Sequence, residues 1–325
     1  MRPESADVLV IGGGVAGLRC ALHRTRAGAS VMVLDKGRAP GGRMSTRRIG
    51  GAVWDHGVHR FIAQDPAFIR ACAAWEAAGV ARRDGGLWRG EPFMARIVEH
   101  EVDGVRAAGA EVRFQVTASE LQRDLDAPPG RSAWRVQTRD ATGEVEVVEA
   151  AEVVLACPPP QAAALLEGNG TRLAETAASV PMVPVWVLLA RVRGETDPEV
   201  QAASPLASLD VRRLPGGSQT GLAVLGRPRP GWSVRHQDLP KAEAARRLAE
   251  GLVVRGGEVI EARAHRWLYA AVDADAAFER RRCWFGDGLV LCGDAYAGRG
   301  LPWGVESAWL SGEAAGGGVV GVDAS

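Results

Sequence analysis

The chain has 325 residues, enough for one large domain or two modest ones with substantial cores. Lys+Arg and Asp+Glu balance at 39 each, and the zero formal charge argues against nucleic acid or an anionic membrane as a general partner. Five scattered cysteines (Cys20, Cys72, Cys157, Cys283, Cys292) with no CxxC pair speak against a disulfide scaffold or a zinc site; no metal centre is expected, and a reducing compartment is.

The opening "MRPESAD" leads directly into an apolar run, without the core of a signal peptide. No apolar stretch reaches roughly 18 residues, so a soluble cytoplasmic protein is expected. Val8 to Ile11 is a short all-apolar run, the pattern of a parallel strand buried on both faces. Val15 to Ala27 follows with helical spacing, and Ser30 to Leu34 is a second β-branched run ending in Asp35. Asp65-Pro66 starts a helix with proline at its first position; Phe68, Ile69, Cys72 and Trp75 form its apolar face, and Gly79 ends it. Glu111 to Val116 and Trp134 to Thr138 read as antiparallel strands. Glu152 to Ala156 is another continuous buried strand, stopped by Pro158-Pro159-Pro160.

The middle of the chain has a different texture. Val183 to Val192, Ala207 to Arg213, Leu222 to Gly226 and Val259 to Tyr269 are strands split by Gly/Pro turns, with a helix from Pro240 to about Gly251 among them. This predicts an antiparallel sheet in a second domain. Leu289 to Cys292 then returns to the buried parallel style. The expected fold is α/β: a Rossmann-like nucleotide-binding domain (1-75, 101-165 and 283-325) interrupted by a mixed or antiparallel-sheet domain (76-100 and 166-282).

Gly12, Gly14 and Gly17 form GxGxxG between a strand and a helix. The first glycine permits the tight turn, the second lets backbone approach a pyrophosphate, and the third allows close helix–strand packing. Free N–H groups at the helix start would face the phosphates. Asp35, eighteen residues after Gly17, stands where a carboxylate accepts from ribose hydroxyls and disfavours a 2′-phosphate. The cradle alone does not separate NAD from FAD. In "DKGRAPGGRMSTRR", Gly41-Gly42 would bring backbone to a ligand a second time and Arg43 would offer a planar donor fork to a pyrophosphate. A plain NAD domain has no need of this.

In this order, the cradle, the acid and "GGRMST" resemble FAD-binding flavoproteins of the amine-oxidase type, with the interrupted topology of the hydroxylase-like flavin fold. Within that group the chain is most similar to bacterial renalase-like oxidoreductases. The matching pieces are "GGRMST", the Asp55-x-Gly57 segment ending in Phe61, "WRGEPFM", "VVLACPPPQAAALL", "HRWLYA" from His265, and "CGDAYAG…GVESAWLSGEAA". The resemblance implies non-covalent FAD held through Gly12, Gly14, Ala16, Gly17, Asp35, Lys36, Gly42, Arg43, Met44, Val116, Gly293, Asp294, Gly304 and Val305. Asp294 would bind the ribityl chain, and the helix starting near Gly304-Val305 would point its N-terminus at the flavin ring, where its dipole stabilises negative charge. It also places Tyr269 in a substrate cavity; the alternative is a core tyrosine. Two departures stand out. Phe93 in "GEPFM" occupies a position where the family usually has glycine, and the "AGRGLPWG" loop, carrying Trp303, is longer than in close relatives.

Flavin amine oxidases commonly hold a lysine near the flavin. Lys36 and Lys241, the only lysines, do not suit that role, and no cysteine is placed for a covalent flavin link. His23 and His100 read as solvated. His59 is a candidate substrate-cavity residue with Tyr269 and Trp303; His265 and Tyr269 should share a strand face. Glu306 reads as a helix-start carboxylate and not as a base. No catalytic acid–base constellation emerges. Oxidation of a dihydropyridine needs none, because loss of hydride yields an aromatic ring. The resemblance implies this class: isomeric 2- or 6-dihydro-NAD(P) oxidised to NAD(P)+, with molecular oxygen accepting the electrons to give hydrogen peroxide. An amine oxidase or dehydrogenase on another small molecule, and a non-catalytic flavin-binding module, are the alternatives. The oligomeric state is left open.

Overall fold

The computed structural model describes residues 4–124, 133–194, 198–214, 221–273, 281–297 and 304–317. The chain divides into two compact units, one of Met1–Met44, Val58–Pro181 and Ala274–Ser325, the other of Ser45–Gly57 and Met182–Asp273. The expected interruption of an α/β domain by an antiparallel sheet is present. The boundaries differ from the expected ones: residues 76–100, 166–181 and 274–282 belong to the first unit, and the short 45–57 segment belongs to the second.

The first unit is built on an eight-stranded sheet. From one edge the main path runs Cys283–Gly286, Leu289–Cys292, Val145–Leu155, Glu4–Ile11, Val31–Asp35 and Glu111–Phe114. Glu4–Ile11 pairs in parallel with both Val31–Asp35 and Val145–Leu155, and the latter pairs in parallel with Leu289–Cys292. The all-apolar runs seen in the sequence are these central strands; Leu9, Val10, Val33, Val153, Val154 and Leu155 are fully buried. Glu111–Phe114 also pairs in parallel, with Val31–Asp35, which corrects the antiparallel reading of that segment. A helix, Ala95–Ala107, precedes it and supplies the crossover that a parallel neighbour requires. Trp134–Arg139 is antiparallel to Val145–Leu155, as its pattern suggests.

Helix Pro66–Ala77 begins as predicted. Asp65 caps it, its Oδ1 accepting from the Ala67 N–H at 2.8 Å, and Gly79 leaves it with φ 70°. Phe68, Cys72 and Trp75 are buried, but Ile69 is 43 % exposed. The apolar stripe is therefore narrower than expected, because Ile69 sits about 100° around the helix from Phe68. Helices Val15–Arg26 and Val305–Gly316 cross closely. A Cβ on Gly316 would lie 2.6 Å from the His23 Cβ, and one on Gly312 would lie 2.9 Å from the Arg19 Cβ. His23 is partly exposed, and its Nε2 lies 2.9 Å from Glu313 Oε1 across this crossing.

In the second unit the sheet order is Leu206–Arg213, Leu222–Pro228, Met182–Arg193, Glu258–Val272, all antiparallel. Met182–Arg193 is buried on both faces with period two. Trp186, Leu188, Ala190 and Val192 pack with Trp232, Ala244 and Leu248 of the covering helices. Val187 and Leu189 pack with Ala52 and Trp54 of a small hairpin. Among the described residues, no helix is long and apolar enough to cross a membrane.

Candidate functional site

The ends of the parallel strands bring the glycine motif together. Gly12, at φ 120°, follows the first strand, and a Cβ there would lie 2.7 Å from the Ala156 carbonyl oxygen. Only glycine fits such a turn. A Cβ on Gly17 would collide with the Gly12 carbonyl oxygen and lie 3.1 Å from Val10, so helix and strand touch through that glycine. Gly14 differs from both: a Cβ there meets nothing within 4 Å. Gly14 is the N-cap of Val15–Arg26 and no side chain caps the helix. The N–H groups of Val15, Ala16 and Gly17 thus start a helix beside open space, the arrangement that takes a phosphate. Ala16 itself is buried, and its carbonyl lies against Gly312.

Asp35 is held in place by backbone donors. Its Oδ2 accepts from the Gly13 N–H at 2.7 Å and its Oδ1 from the Gly37 N–H at 2.6 Å. Its own carbonyl accepts from the Val116 N–H at 3.0 Å, which fixes Val116 beside it. Each carboxylate oxygen retains a second lone pair for a hydroxyl. Lys36 is exposed next to it.

A second group of residues meets from opposite ends of the sequence. Gly42, at φ 49°, opens a short turn through Met44, which is buried, and a Cβ on Gly42 meets nothing within 4 Å. Arg43 Nη1 donates to Asp294 Oδ2 at 2.9 Å, and Nη2 donates to Oδ1, a two-pronged pair. Gly293, at φ 143°, turns the chain out of Leu289–Cys292 into Asp294. Gly304, at φ 62°, is the N-cap of Val305–Gly316, and a Cβ there would lie 2.7 Å from Asp294 Oδ2. Val305 is buried in the first turn. Gly42, Arg43, Asp294 and Gly304 therefore form one cluster.

Two residues near this helix were not singled out as ligand-side groups. Glu306 is 6 % exposed, and its Oε2 accepts from the Gln64 N–H at 2.5 Å, tying the 58–65 segment to the helix start. Its charge and position on the helix were visible in the sequence; its burial was not. Tyr296 is 1 % exposed, in the short turn Asp294–Ala297.

His59 is buried in the first unit, beside Val58, whose N–H donates to the Arg43 carbonyl at 2.8 Å. Tyr269 is half-buried in the second unit, where strand pairing is irregular between Val183/Ala271 and Val185/Trp267. His265 lies on the same strand, Glu258–Val272. Trp303 and the loop through residue 303 lie outside the described residues. Phe93 is half-buried, and its backbone packs so tightly on Gly90 that a Cβ at Gly90 would collide with the Phe93 carbonyl oxygen.

The second unit holds a histidine pair. His56 and His265 meet edge to face at 4.7 Å between ring centroids, and Trp267 lies 4.9 Å from the first and 4.7 Å from the second. Trp267 Nε1 donates to the His56 carbonyl at 2.9 Å, and His56 Nδ1 lies 3.1 Å from the Ser45 carbonyl, which it meets as a donor. Burial pushes the His56 pKa down to about 3, with His265 and Arg47 adding repulsion. Burial, then Arg47 and Lys241, pushes His265 down to about 4. Both rings are neutral across the physiological range. Asp55, also buried, anchors the same segment through Thr46 Oγ1 at 2.7 Å and Arg212 Nη2 at 2.6 Å. All five cysteines are free. Burial raises the thiol of Cys157 to about 12 and that of Cys283 to about 11, and holds Cys292 well above the ordinary range.

Residues 10–75 match the family model of the NAD(P)-binding Rossmann-like domain. Over 61 residues the chain is 36 % identical to the probable electron transfer flavoprotein-quinone oxidoreductase YgcN of Escherichia coli (strain K12), a match that spans 19 % of this chain and 14 % of that protein. The fold is similar to that of a putative protoporphyrinogen oxidase from Exiguobacterium sp. 255-15, with TM-score 0.59, 14 % identity, and 97 % and 99 % of the two chains covered. It is also similar to the myxobacterial chondrochloren halogenase CndH, a variant of the FAD-dependent halogenases (TM-score 0.53, 17 % identity, 96 % and 73 % covered). A third similar structure is NikD, an unusual amino acid oxidase (TM-score 0.51, 16 % identity, 96 % and 93 % covered). The fold is thus the Rossmann-like α/β fold found among FAD-dependent oxidoreductases.

Proposed function

We propose that this chain is an FAD-dependent oxidoreductase that removes a hydride from a small dihydropyridine, most concretely an isomeric 2- or 6-dihydro-NAD(P). The products would be NAD(P)+ and, with molecular oxygen as acceptor, hydrogen peroxide. The observation that carries the reading is the cluster of Gly42, Arg43, Asp294 and Gly304 within the same unit as the Gly12–Gly17 cradle. A dinucleotide with a long middle uses both; a ligand held by one cradle alone uses only the first.

Bound at these residues, the flavin would supply two-electron acceptance. The residues do the rest. The N–H groups of Val15, Ala16 and Gly17 take the pyrophosphate, and the preset Asp35 carboxylate takes the adenosine ribose. Asp294, oriented by Arg43, accepts from hydroxyls of the ribityl chain. The start of Val305–Gly316 offers N–H groups and a positive dipole end to the ring. The reaction requires no base of the protein, because loss of hydride from a dihydropyridine directly yields an aromatic ring. Lys36 and Lys241, the two lysines, are both exposed, which favours the dihydropyridine over the amine-oxidase reading.

Anaerobic mixing of the purified flavoprotein with 2-, 4- and 6-dihydro-NAD(P) tests the proposal. Rapid bleaching near 450 nm by the 2- or 6-isomer, with peroxide formed on admitting air, is the expected result. Bleaching by amines alone would replace this reading with the amine-oxidase one. No bleaching by any of them would leave a flavin-binding module.

A further inference from the structure

We infer that Tyr296 binds the cofactor, its hydroxyl donating to an oxygen of the ribityl–pyrophosphate segment. The inference rests on the FAD reading and adds to it a residue that the glycine and aspartate motifs do not contain.

Tyr296 lies two residues after Asp294, in the turn Asp294–Ala297, and its N–H closes on the Gly293 carbonyl at 3.2 Å. Its ring runs beside Gly293, with Cδ2 4.0 Å from where a Cβ of that glycine would stand. The strand before it, Leu289–Cys292, neighbours Val145–Leu155, and that strand neighbours Glu4–Ile11, all three parallel. The residues just beyond their carboxyl ends are Gly293, Ala156-Cys157 and Gly12, and Gly12 already touches Ala156 and Cys157. This end of an open parallel sheet is where such folds place ligands. Tyr296 is buried at this end of the sheet, with Cys157, Cys292 and Asp294 close enough for their charges to bear on it, and burial holds its ionisation far above the ordinary range.

The side chain is 1 % exposed, yet its hydroxyl has no hydrogen-bond partner among the described residues. Buried polar groups in native proteins are paired, and one left unpaired weakens the fold. Phenylalanine would fill the same volume without that penalty. A tyrosine here is explained by an acceptor that arrives with the ligand, and the phosphate and hydroxyl oxygens of the dinucleotide's middle are such acceptors. The surrounding thiols are weak partners by comparison.

The test is Tyr296→Phe, with wild type and variant stripped of flavin, titrated with FAD by fluorescence quenching, and melted with and without FAD. The inference expects opposite effects on the two forms. The flavin-free variant should melt at or above wild type, by roughly 2 °C. Its FAD affinity should fall about tenfold, the size of one lost hydrogen bond. An FAD affinity within twofold of wild type overturns the inference while leaving the cofactor reading intact. A flavin-free variant that melts lower, or does not fold, also overturns it, because the hydroxyl would then hold protein to protein. A wild-type protein that takes up no FAD overturns both.

Discussion

Arg43 and Asp294, 251 positions apart, are joined through both prongs of the guanidinium and both oxygens of the carboxylate. The aspartate that would meet the ribityl chain is thus aimed by an arginine from the first fifty residues. Asp294→Asn keeps the size but removes the charge that Arg43 grips. The pair is partly exposed, so the flavin-free protein should lose only about 1 kcal/mol. The purified variant should carry far less flavin than wild type, read as the ratio of absorbance at 450 and 280 nm. Full flavin content would remove Asp294 from the site.

Gly14 and Gly17 separate cradle from scaffold. Gly17→Ala drives a methyl into the Gly12 carbonyl, an overpacking that should cost about 1–3 kcal/mol and shift the helix. Gly14→Ala adds a methyl in open space at φ −85°, where alanine is comfortable, and should change stability by less than about 1 kcal/mol. Gly14→Ala should nevertheless abolish dinucleotide binding, because the methyl occupies the approach to the phosphates. Denaturant melts paired with an FAD titration distinguish the two, and a Gly14→Ala protein that binds FAD normally would contradict the cradle.

The histidine pair predicts an acid-sensitive second unit. His56 and His265 have folded-state pKa values of about 3 and about 4, below the ordinary 6.5. Above pH 6.5 both are neutral in either state and contribute no slope. As pH falls from 6.5 toward 4 the unfolded chain binds the protons and the folded one does not, so stability drops by roughly 1.4 kcal/mol per pH unit for each ring. The slope disappears below the folded pKa values. Replacing His56 by Phe should remove about half of the decline in melting temperature between pH 6.5 and 4.5, and an unchanged decline would relocate its source.

The thiols should be inert in the folded protein. With burial raising Cys157, Cys283 and Cys292 far above the working pH, almost no thiolate is present to react. Ellman's reagent should titrate few thiols natively and all five after denaturation. Flavin should leave the acid-precipitated chain completely, and colour retained in the pellet would mean a covalent link.

The sequence exposed those parts of the fold that depend on local pattern. The run Val8 to Ile11, the glycines after it and the acid at the next strand end specify a β-α-β unit, because each is set by a neighbour within thirty residues. The return to the parallel style at Leu289 was readable for the same reason, since a strand buried on both faces has no polar positions. What pattern did not reveal depends on partners far away in sequence. Ile69 is exposed and His23 is paired with Glu313 because of which helices lie beside them. Glu111–Phe114 carries mixed residues because it is an edge strand, and its direction is set by the preceding helix rather than by its composition. At the candidate site, the convergence of Arg43 on Asp294, the burial of Glu306 and the unpaired hydroxyl of Tyr296 all arise from closing the sheet with the last strand.

That closure orders events during synthesis. A ribosome releases the antiparallel sheet of Met182–Asp273 as one continuous stretch, whereas Val145–Leu155, whose second edge is covered by Trp134–Arg139 only over Val145–Ala150, must wait for Leu289–Cys292 to emerge before Val153–Leu155 are paired on that side. Until then the apolar end Val153–Leu155 presents an unpaired strand border, the kind of template on which other chains associate. Stalling or premature termination near residue 280 would therefore yield aggregates rather than a smaller working protein.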